Sequence, residues 1–254
     1  MGIFNGVLFC SDIDGTLVFD GKVSEENRKA IEYFKSEGGL FTLSTGRYPD
    51  YLGKNFSIQP NTFVVSVNGT VVSDKNGENI VYDKKLPLSF LEKVCDYVLP
   101  KYELETFWEA DITSLEMPFG IYPTYDANKM MFVPKDEETA LVLIKDLSEK
   151  FGDMTDINRS WSTGVELIPK GSGKGECVKL LKKLTNSRLL VCAGDYENDV
   201  TMLKEADIGY AIKSGVKTAH DAADRITKST AEESAVAEII YELENELKEQ
   251  GIKL

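Results

Sequence analysis

The chain opens with the stretch Val7-Leu8-Phe9-Cys10-Ser11-Asp12-Ile13-Asp14-Gly15-Thr16, an apolar run that ends in two aspartates and a Gly-Thr turn. An apolar run of this length, bounded by a turn signal, predicts a buried strand. Asp12 and Asp14 then follow the carboxyl end of that strand, and in open parallel α/β sheets this edge is where ligands bind. Two carboxylates so close together repel each other unless a cation or a shared proton lies between them. The opening of the chain therefore predicts a metal-dependent carboxylate site.

Strands and helices alternate through most of the remaining sequence. Apolar runs predict further strands at 40–44, 63–67, 188–193, 208–212 and 225–227. Apolar periodicity and end signals predict helices at 25–37, 174–184, 199–205 and 232–250. This alternation favours an α/β fold with a doubly wound, mostly parallel sheet.

One segment interrupts the alternation. Residues 85–170 show the pattern helix-strand-strand twice, which is typical of an α+β unit. We therefore expect a core formed by residues 1–84 and 171–254, with an α+β domain inserted at 85–170.

Composition restricts the partners and the compartment. The net charge of -13 argues against general nucleic-acid binding, which needs a basic face, and against binding to anionic membranes. The four cysteines form no C-x-x-C pair, as expected in a reducing compartment. No apolar stretch approaches the roughly 20 residues of a membrane span, and no basic segment precedes the first apolar run as in a signal peptide. We expect a cytoplasmic monomer or weak homo-oligomer.

Polar residues gather where the predicted strands end and where one predicted helix begins. They are Asp12 and Asp14, Thr45, Lys174, and Asp195 with Asn198 and Asp199. Carboxylates form a hard oxygen site suited to Mg²⁺. One carboxylate can attack phosphorus while another protonates the leaving oxygen, and a lysine and a hydroxyl can hold the phosphoryl group. The set predicts Mg²⁺-dependent phosphoryl transfer. A P-loop is excluded, because that motif needs Gly at position 168 and Ser or Thr at position 175, where the chain has Ile168 and Gly175.

Four motifs, in chain order, resemble those of the haloacid dehalogenase (HAD) superfamily in the form of its Cof-type subfamily IIB. Asp12-Ile13-Asp14-Gly15-Thr16 resembles motif I, and Ser44-Thr45-Gly46-Arg47 resembles motif II. Glu166-Leu167-Ile168-Pro169 running into Lys174-Gly175 resembles motif III. Gly194-Asp195-Tyr196-Glu197-Asn198-Asp199 resembles motif IV, with Tyr196 where the family usually has glycine. Asn68-Gly69 also matches a pair that this branch often carries.

The resemblance implies a role for each matched residue. Asp12 would be the nucleophile and a metal ligand, and Asp14 the general acid and base, with its backbone carbonyl on the metal. Asp195 and Asp199 would complete the metal site. The implied phosphate contacts are Thr45, the Gly46 amide, Lys174 and Asn198. Arg47 would either contact the substrate, which we favour, or pair with a surface acid.

The resemblance also implies a HAD-like Rossmannoid core and a C2-type cap, the insert, that covers the site and selects the substrate. The predicted function is Mg²⁺-dependent hydrolysis of a small phosphorylated metabolite through an aspartyl-phosphate. Sugar phosphates, phosphoglycolate and phosphorylated cofactors are the implied substrate classes. Two alternatives stay open: a phosphosugar mutase of the same branch, and a non-catalytic sensor of a phosphorylated metabolite.

Overall fold

The chain divides into two compact units. A computed structural model describes residues 2–49, 57–112 and 119–249. The first unit consists of Met1–Val81 and Lys174–Leu254, and the second of Tyr82–Gly173. The boundaries expected from the sequence, after residues 84 and 170, lie three residues from these at each junction.

The described residues form twelve strands and seven α-helices. The strands are β1 (Val7–Ser11), β2 (Leu40–Leu43), β3 (Val64–Ser66), β4 (Val71–Ser73), β5 (Ile80–Asp83), β6 (Leu104–Ala110), β7 (Lys129–Pro134), β8 (Thr155–Trp161), β9 (Gly164–Pro169), β10 (Leu189–Gly194), β11 (Ile208–Ala211) and β12 (Arg225–Ile226). The helices are α1 (Glu25–Ser36), α2 (Leu88–Val98), α3 (Glu137–Phe151), α4 (Lys174–Leu184), α5 (Val200–Glu205), α6 (Lys217–Ala222) and α7 (Ala235–Glu249).

The first unit is built on a parallel sheet in the order β12-β11-β10-β1-β2. From β1 the chain moves to β2 on one side, and it later returns to the other side of β1 with β10. The strand order therefore reverses between β1 and β10, and at such a switch point the loops that leave the strands open a crevice. Asp12 follows β1 and Asp195 follows β10, so both lie at this point. The predicted α/β fold with a parallel core is confirmed.

Strand β1 is buried on both faces, which explains its uninterrupted apolar run. Val7 and Phe9 belong to a core cluster that includes residues of α1 and α7. Leu8 and Cys10 face the opposite way, because side chains alternate along a strand, and they are buried as well. Helices α4 and α5 contact β10 but add no residue to that cluster, so they cover the other face. A central parallel strand enclosed in this way reads as continuous hydrophobic sequence.

The last helix begins later than its sequence pattern indicates. The sequence pattern predicts a helix over 232–250, whereas α7 begins at Ala235, and Gln250 lies outside the described residues. The start is fixed by Asn27 of α1, whose buried side-chain oxygen accepts a hydrogen bond from the Ala237 amide at 2.9 Å. A buried side-chain acceptor that caps the helix from 210 residues away cannot be read from local sequence.

Strand β3 has a different partner from the other predicted core strands. Among the described residues, its backbone pairing with the core sheet is one parallel bridge between Ser44 and Val65. Its regular pairing is antiparallel with β4, in a separate sheet of order β3-β4-β5. The chain reverses between β3 and β4 through residues 67–69, all of which have positive φ.

The second unit is an antiparallel sheet of order β6-β7-β9-β8 with two helices. Its chain order is helix-strand-strand twice, α2-β6-β7 and α3-β8-β9. Met130, Phe132 and Leu167 pack with apolar side chains of both helices, so the helices share one face of the sheet. Lys129 and Glu166 form a buried ion pair, with Nζ 2.8 Å from the carboxylate. Glu166 therefore lies in the second unit, whereas Lys174, from the same sequence motif, begins α4 of the first.

All four cysteines are free and buried. Cys10 and Cys192 are register partners on the neighbouring strands β1 and β10. Burial raises the pKa of the Cys95 thiol to about 12. None of the helices in residues 2–49, 57–112 and 119–249 combines the length and apolarity needed to cross a bilayer.

We predict that Gly175→Ala destabilises the first unit. Alanine has the better helix propensity by about 1 kcal/mol. However, a Cβ at position 175 would lie 2.7 Å from the Thr201 carbonyl oxygen of α5. Overpacking of this kind costs about 1–3 kcal/mol, so the free energy of unfolding in urea should fall. Lys183→Ala, at an exposed position of the same helix, is the control. A Gly175→Ala protein as stable as wild type would show that α4 and α5 can separate freely.

Candidate active site

Three carboxylates meet at the switch point of the core sheet. Asp12, Asp195 and Asp199 each offer one oxygen, and these oxygens all lie within 4.8 Å of one another. Asp12 follows β1, Asp195 follows β10, and Asp199 ends the short 3-10 turn Glu197–Asp199. Asp199 is fully buried and Asp12 nearly so. The structure thus brings together the three carboxylates expected to bind metal, and the contribution expected of Asp14, its backbone carbonyl, stays a prediction.

Lys174 connects this cluster to helix α4. Its Nζ donates to Asp12 Oδ1 and to Asp199 Oδ1, both at 2.6 Å. The lysine is the first residue of α4 and is 1% exposed. An ammonium can be buried this deeply only when it is paired and hydrogen-bonded, and here two carboxylates meet that requirement.

The second oxygen of Asp199 shapes the loop that follows β10. Oδ2 accepts hydrogen bonds from the Asp195 amide at 2.9 Å and from the Tyr196 amide at 3.1 Å. Gly194 permits this approach, because a Cβ there would lie 2.5 Å from Asp199 Cβ. Tyr196 has φ of -123°, which any residue adopts, so the departure from the family's usual glycine causes no backbone strain.

The Gly-Thr turn after Asp14 holds the other side of Asp195. Thr16 Oγ1 donates to Asp195 Oδ1 at 2.7 Å. Gly15 has φ of +82°, and a Cβ there would lie 2.4 Å from Asp195 Oδ2. The sequence predicts Gly15 and Thr16 only as a turn, so the role of Thr16 as a partner of the carboxylate cluster is a finding of the structure. The position of Thr16 in motif I is the sequence signal that could have identified it.

The carboxylate of Asp14 lies outside the cluster and pairs with Arg47. Arg47 Nε donates to Asp14 Oδ2 at 2.8 Å, and an Nη donates to Oδ1 at 2.6 Å. This bidentate geometry is the strong form of an arginine–carboxylate pair, although the Asp14 side chain is 59% exposed. Of the two roles considered for Arg47, pairing with an acid is present, and the acid is the predicted general acid and base. Substrate contact by Arg47 stays a prediction.

The predicted phosphate-binding residues come from three segments. Thr45 and Gly46 follow β2, Lys174 begins α4, and Asn198 lies in the 3-10 turn. The buried Thr45 hydroxyl accepts from the Arg47 amide at 3.2 Å, so it caps its own turn. Asn198 Nδ2 donates to Asn68 Oδ1 at 3.1 Å. Their contact with phosphate stays a prediction.

Burial and mutual repulsion raise the pKa values of Asp12 and Asp195. Burial raises the pKa of Asp12 well above its ordinary value. Burial, and then the charge of Asp199, raises the pKa of Asp195 to about 7. Burial alone would lower the pKa of Lys174, but Asp12 and Asp199 raise it above its ordinary value. The cluster thus holds three acids and one ammonium, and a divalent cation that prefers hard oxygen ligands fits this donor set.

Comparison with known proteins gives concordant matches over nearly the whole chain. The sequence matches the family described as haloacid dehalogenase-like hydrolase over residues 9–117 and 114–240. It is 28% identical over 239 residues to the 5-amino-6-(5-phospho-D-ribitylamino)uracil phosphatase YcsE of Bacillus subtilis (strain 168), covering 91% of this chain and 94% of that protein.

Solved structures share the fold. TM0651 from Thermotoga maritima matches with a TM-score of 0.72 and 22% identity, covering 92% of this chain and 96% of that one. The HAD subclass IIB sugar phosphatase BT4131 matches with a TM-score of 0.77 and 19% identity, covering 92% and 98%. Both alignments include the inserted unit as well as the parallel core, because they extend over most of each chain.

We predict that Asp195 makes the metal-free protein less stable as pH rises. Its folded pKa of about 7 lies above the unfolded value of about 3.9. The folded state therefore holds the proton more tightly, and the resulting stabilisation is present below about pH 4 and lost as pH rises through about 7. Relative to Asp195→Asn, the free energy of unfolding of wild type in EDTA should fall over this range.

Mg²⁺ should reverse the trend, because metal binding competes with protons for the same carboxylates. The rise in melting temperature on adding Mg²⁺ should be larger at about pH 8 than at about pH 5, and absent in Asp195→Asn. Asp20→Asn, at an exposed aspartate, should keep the wild-type profile. Equal Mg²⁺ shifts in wild type and Asp195→Asn would contradict the assignment of this ligand.

Proposed function

The chain belongs to the haloacid dehalogenase-like hydrolase family, and from this we propose that it is a Mg²⁺-dependent phosphatase that hydrolyses a small phosphomonoester through an aspartyl-phosphate on Asp12. The observation that carries the proposal is the meeting of Asp12, Asp195 and Asp199 around one point, with Lys174 bound to Asp12 at 2.6 Å. Catalysis of phosphoryl transfer depends mainly on positioning the reacting groups and neutralising the charge of the phosphoryl group. In this proposal the carboxylates, their metal and Lys174 do both.

The metal would be held by Asp12, Asp195 and Asp199, with the Asp14 backbone carbonyl as a further ligand. Three carboxylates whose oxygens lie within 4.8 Å of one another form the hard oxygen set that Mg²⁺ prefers. When bound, Mg²⁺ would neutralise charge on the phosphoryl group and orient it.

Asp12 acts as the nucleophile. The hydrogen bond from Lys174 goes to Oδ1, and among the described residues Oδ2 receives none, so Oδ2 is the attacking oxygen. The bond from Oδ2 to phosphorus forms as the bond from phosphorus to the leaving oxygen breaks. In the second step a water oxygen attacks the same phosphorus, which frees the Asp12 carboxylate and releases inorganic phosphate.

Asp14 transfers the protons of both steps. It gives a proton to the leaving alkoxide in the first step and takes one from the attacking water in the second. Arg47 donates hydrogen bonds to both of its oxygens. Arg47 must release one of them before Asp14 can transfer a proton, and a phosphoryl dianion would compete for the same guanidinium.

Thr45, the Gly46 amide, Lys174 and Asn198 hold the remaining phosphoryl oxygens in this proposal, and the second unit supplies substrate selectivity. Related proteins support a small phosphorylated metabolite as the substrate class. YcsE and YitU of Bacillus subtilis are named as phosphatases of 5-amino-6-(5-phospho-D-ribitylamino)uracil. A cytoplasmic location and a monomeric or weakly associating state complete the proposal and rest on the sequence.

The test is phosphate release by wild type and Asp12→Asn. With Mg²⁺, wild type should release inorganic phosphate from para-nitrophenyl phosphate and from members of a panel of phosphorylated sugars, polyols and cofactors. Asp12→Asn keeps the size of the side chain but removes the nucleophile, so turnover should fall by at least about a thousandfold. Circular dichroism should show a native fold, and Asp20→Asn should retain full activity.

Two results would overturn the proposal. One is undiminished turnover by Asp12→Asn. The other is interconversion of sugar-phosphate isomers without release of phosphate, which would identify a mutase.

A further inference from the structure

The turn between β3 and β4 contains an unusual run of backbone conformations. Val67, Asn68 and Gly69 have φ of 48°, 51° and 87°. All three are buried. A β-branched residue such as valine is strained in the left-handed region, and such strain persists only where the surroundings fix the backbone.

Two other segments fix this turn. The Val67 and Asn68 amides donate to the carbonyls of Arg47 and Thr45, at 3.0 and 2.9 Å. Cys177 Sγ of α4 donates to the Gly69 carbonyl at 3.0 Å. The loop after β2 and the helix that begins at Lys174 are the segments that carry predicted phosphate contacts. The turn is therefore anchored on both of them.

The side chain of Asn68 reaches the third such segment. Its Oδ1 accepts a hydrogen bond from Asn198 Nδ2 at 3.1 Å. Its amide also lies against Gly46, since a Cβ on Gly46 would be 3.1 Å from both Oδ1 and Nδ2. Asn68 is 2% exposed, so it fills the space between two loops that are distant in sequence.

This hydrogen bond determines which way the amide of Asn198 faces. One N–H of Asn198 Nδ2 goes to Asn68, and the second N–H can donate to a phosphoryl oxygen. Asn198 Oδ1 is buried and has no hydrogen-bond partner among the described residues. Without the acceptor on Asn68, the amide can rotate by half a turn and exchange a donor for an acceptor. An acceptor facing an anion would weaken its binding.

We propose that Asn68 is a positioning residue for phosphate: it acts through Asn198, whose donor it orients, and the strained turn holds it in place. The inference deepens the proposed function and rests on it. Asparagine meets both demands of the position, because it tolerates the left-handed backbone and carries the acceptor. Glycine would satisfy the backbone alone.

The chain offers a matched control for the substitution Asn68→Gly. Asn186 has the same φ of 51°, but it lies in the exposed turn after α4. Asn186→Gly therefore makes the same chemical and backbone change away from the site. The experiment compares wild type, Asn68→Gly, Asn198→Ala, the double variant and Asn186→Gly. The readouts are the Kd of inorganic phosphate by calorimetry with Mg²⁺, KM and kcat for para-nitrophenyl phosphate, and the melting temperature.

Asn68→Gly should weaken phosphate binding and raise KM by about tenfold, the effect of one lost hydrogen bond, and the loss should remain at temperatures well below the melting temperature of the variant. Asn198→Ala should cause a similar loss. The double variant should be no worse than Asn198→Ala, because residues that act through one contact are not additive. Asn186→Gly should match wild type.

Additive effects in the double variant would overturn the inference, as would wild-type KM in Asn68→Gly or an equal loss in Asn186→Gly. Turnover by the wild type distinguishes failure of this inference from failure of the proposed function. If wild type releases phosphate and the cycle is additive, the inference fails while the proposed function stands. If wild type neither binds phosphate nor releases it from any ester, the proposed function fails and the inference with it.

Discussion

The ammonium of Lys174 joins parts of the chain that would otherwise repel one another. It donates to Asp12, 162 residues away, and to Asp199, 25 residues away, at 2.6 Å each. Neither carboxylate could stay charged at this depth without a cation, because desolvation costs several kcal/mol per ion. The loop after β10 depends on this pair in turn, since the other oxygen of Asp199 binds the amides of Asp195 and Tyr196. The hydrogen bonds of Lys174 therefore stabilise both the charges of the carboxylate cluster and the backbone of the loop after β10.

The sheet topology explains why such a contact can form. Strands β1 and β10 are neighbours although more than 170 residues separate them in sequence, and both end at the same edge. Helix α4 precedes β10 in the chain and delivers Lys174 to that edge from its first residue. Segments approach one another closely at this edge because glycine occupies positions 15, 175 and 194. A Cβ at any of these positions would collide with a neighbouring residue. These glycines allow the charged groups to lie close together, and for the same reason a larger residue at any of the three positions would destabilise the fold.

Sequence alone identified most of the residues that meet here, for a physical reason. Apolar runs predict buried parallel strands, and the polar residues that follow these strands lie at the same edge of the sheet. Asp12, Asp195 and Asp199 follow from that rule and come together in the structure. The pairing of Arg47 with Asp14 does not follow from it, because it depends on how two loops approach. The positive φ of Val67 cannot be predicted from the sequence either, because hydrogen bonds with Arg47, Thr45 and Cys177 of other segments hold the turn in this conformation. Tertiary contacts, not local propensity, decide such positions.

The cysteines are interleaved with the proposed catalytic groups. Cys10 precedes Asp12 by two residues, Cys177 follows Lys174 by three, and Cys192 precedes Asp195 by three, and all of these thiols are buried. Burial also raises the pKa of Cys192, which keeps it in the unreactive protonated form. An alkylating reagent can therefore reach these sulfurs only when the strands and helix around them open. The rate at which Cys10, Cys177 and Cys192 are alkylated therefore measures how often the structure around the carboxylate cluster opens. The measurement needs neither substrate nor metal.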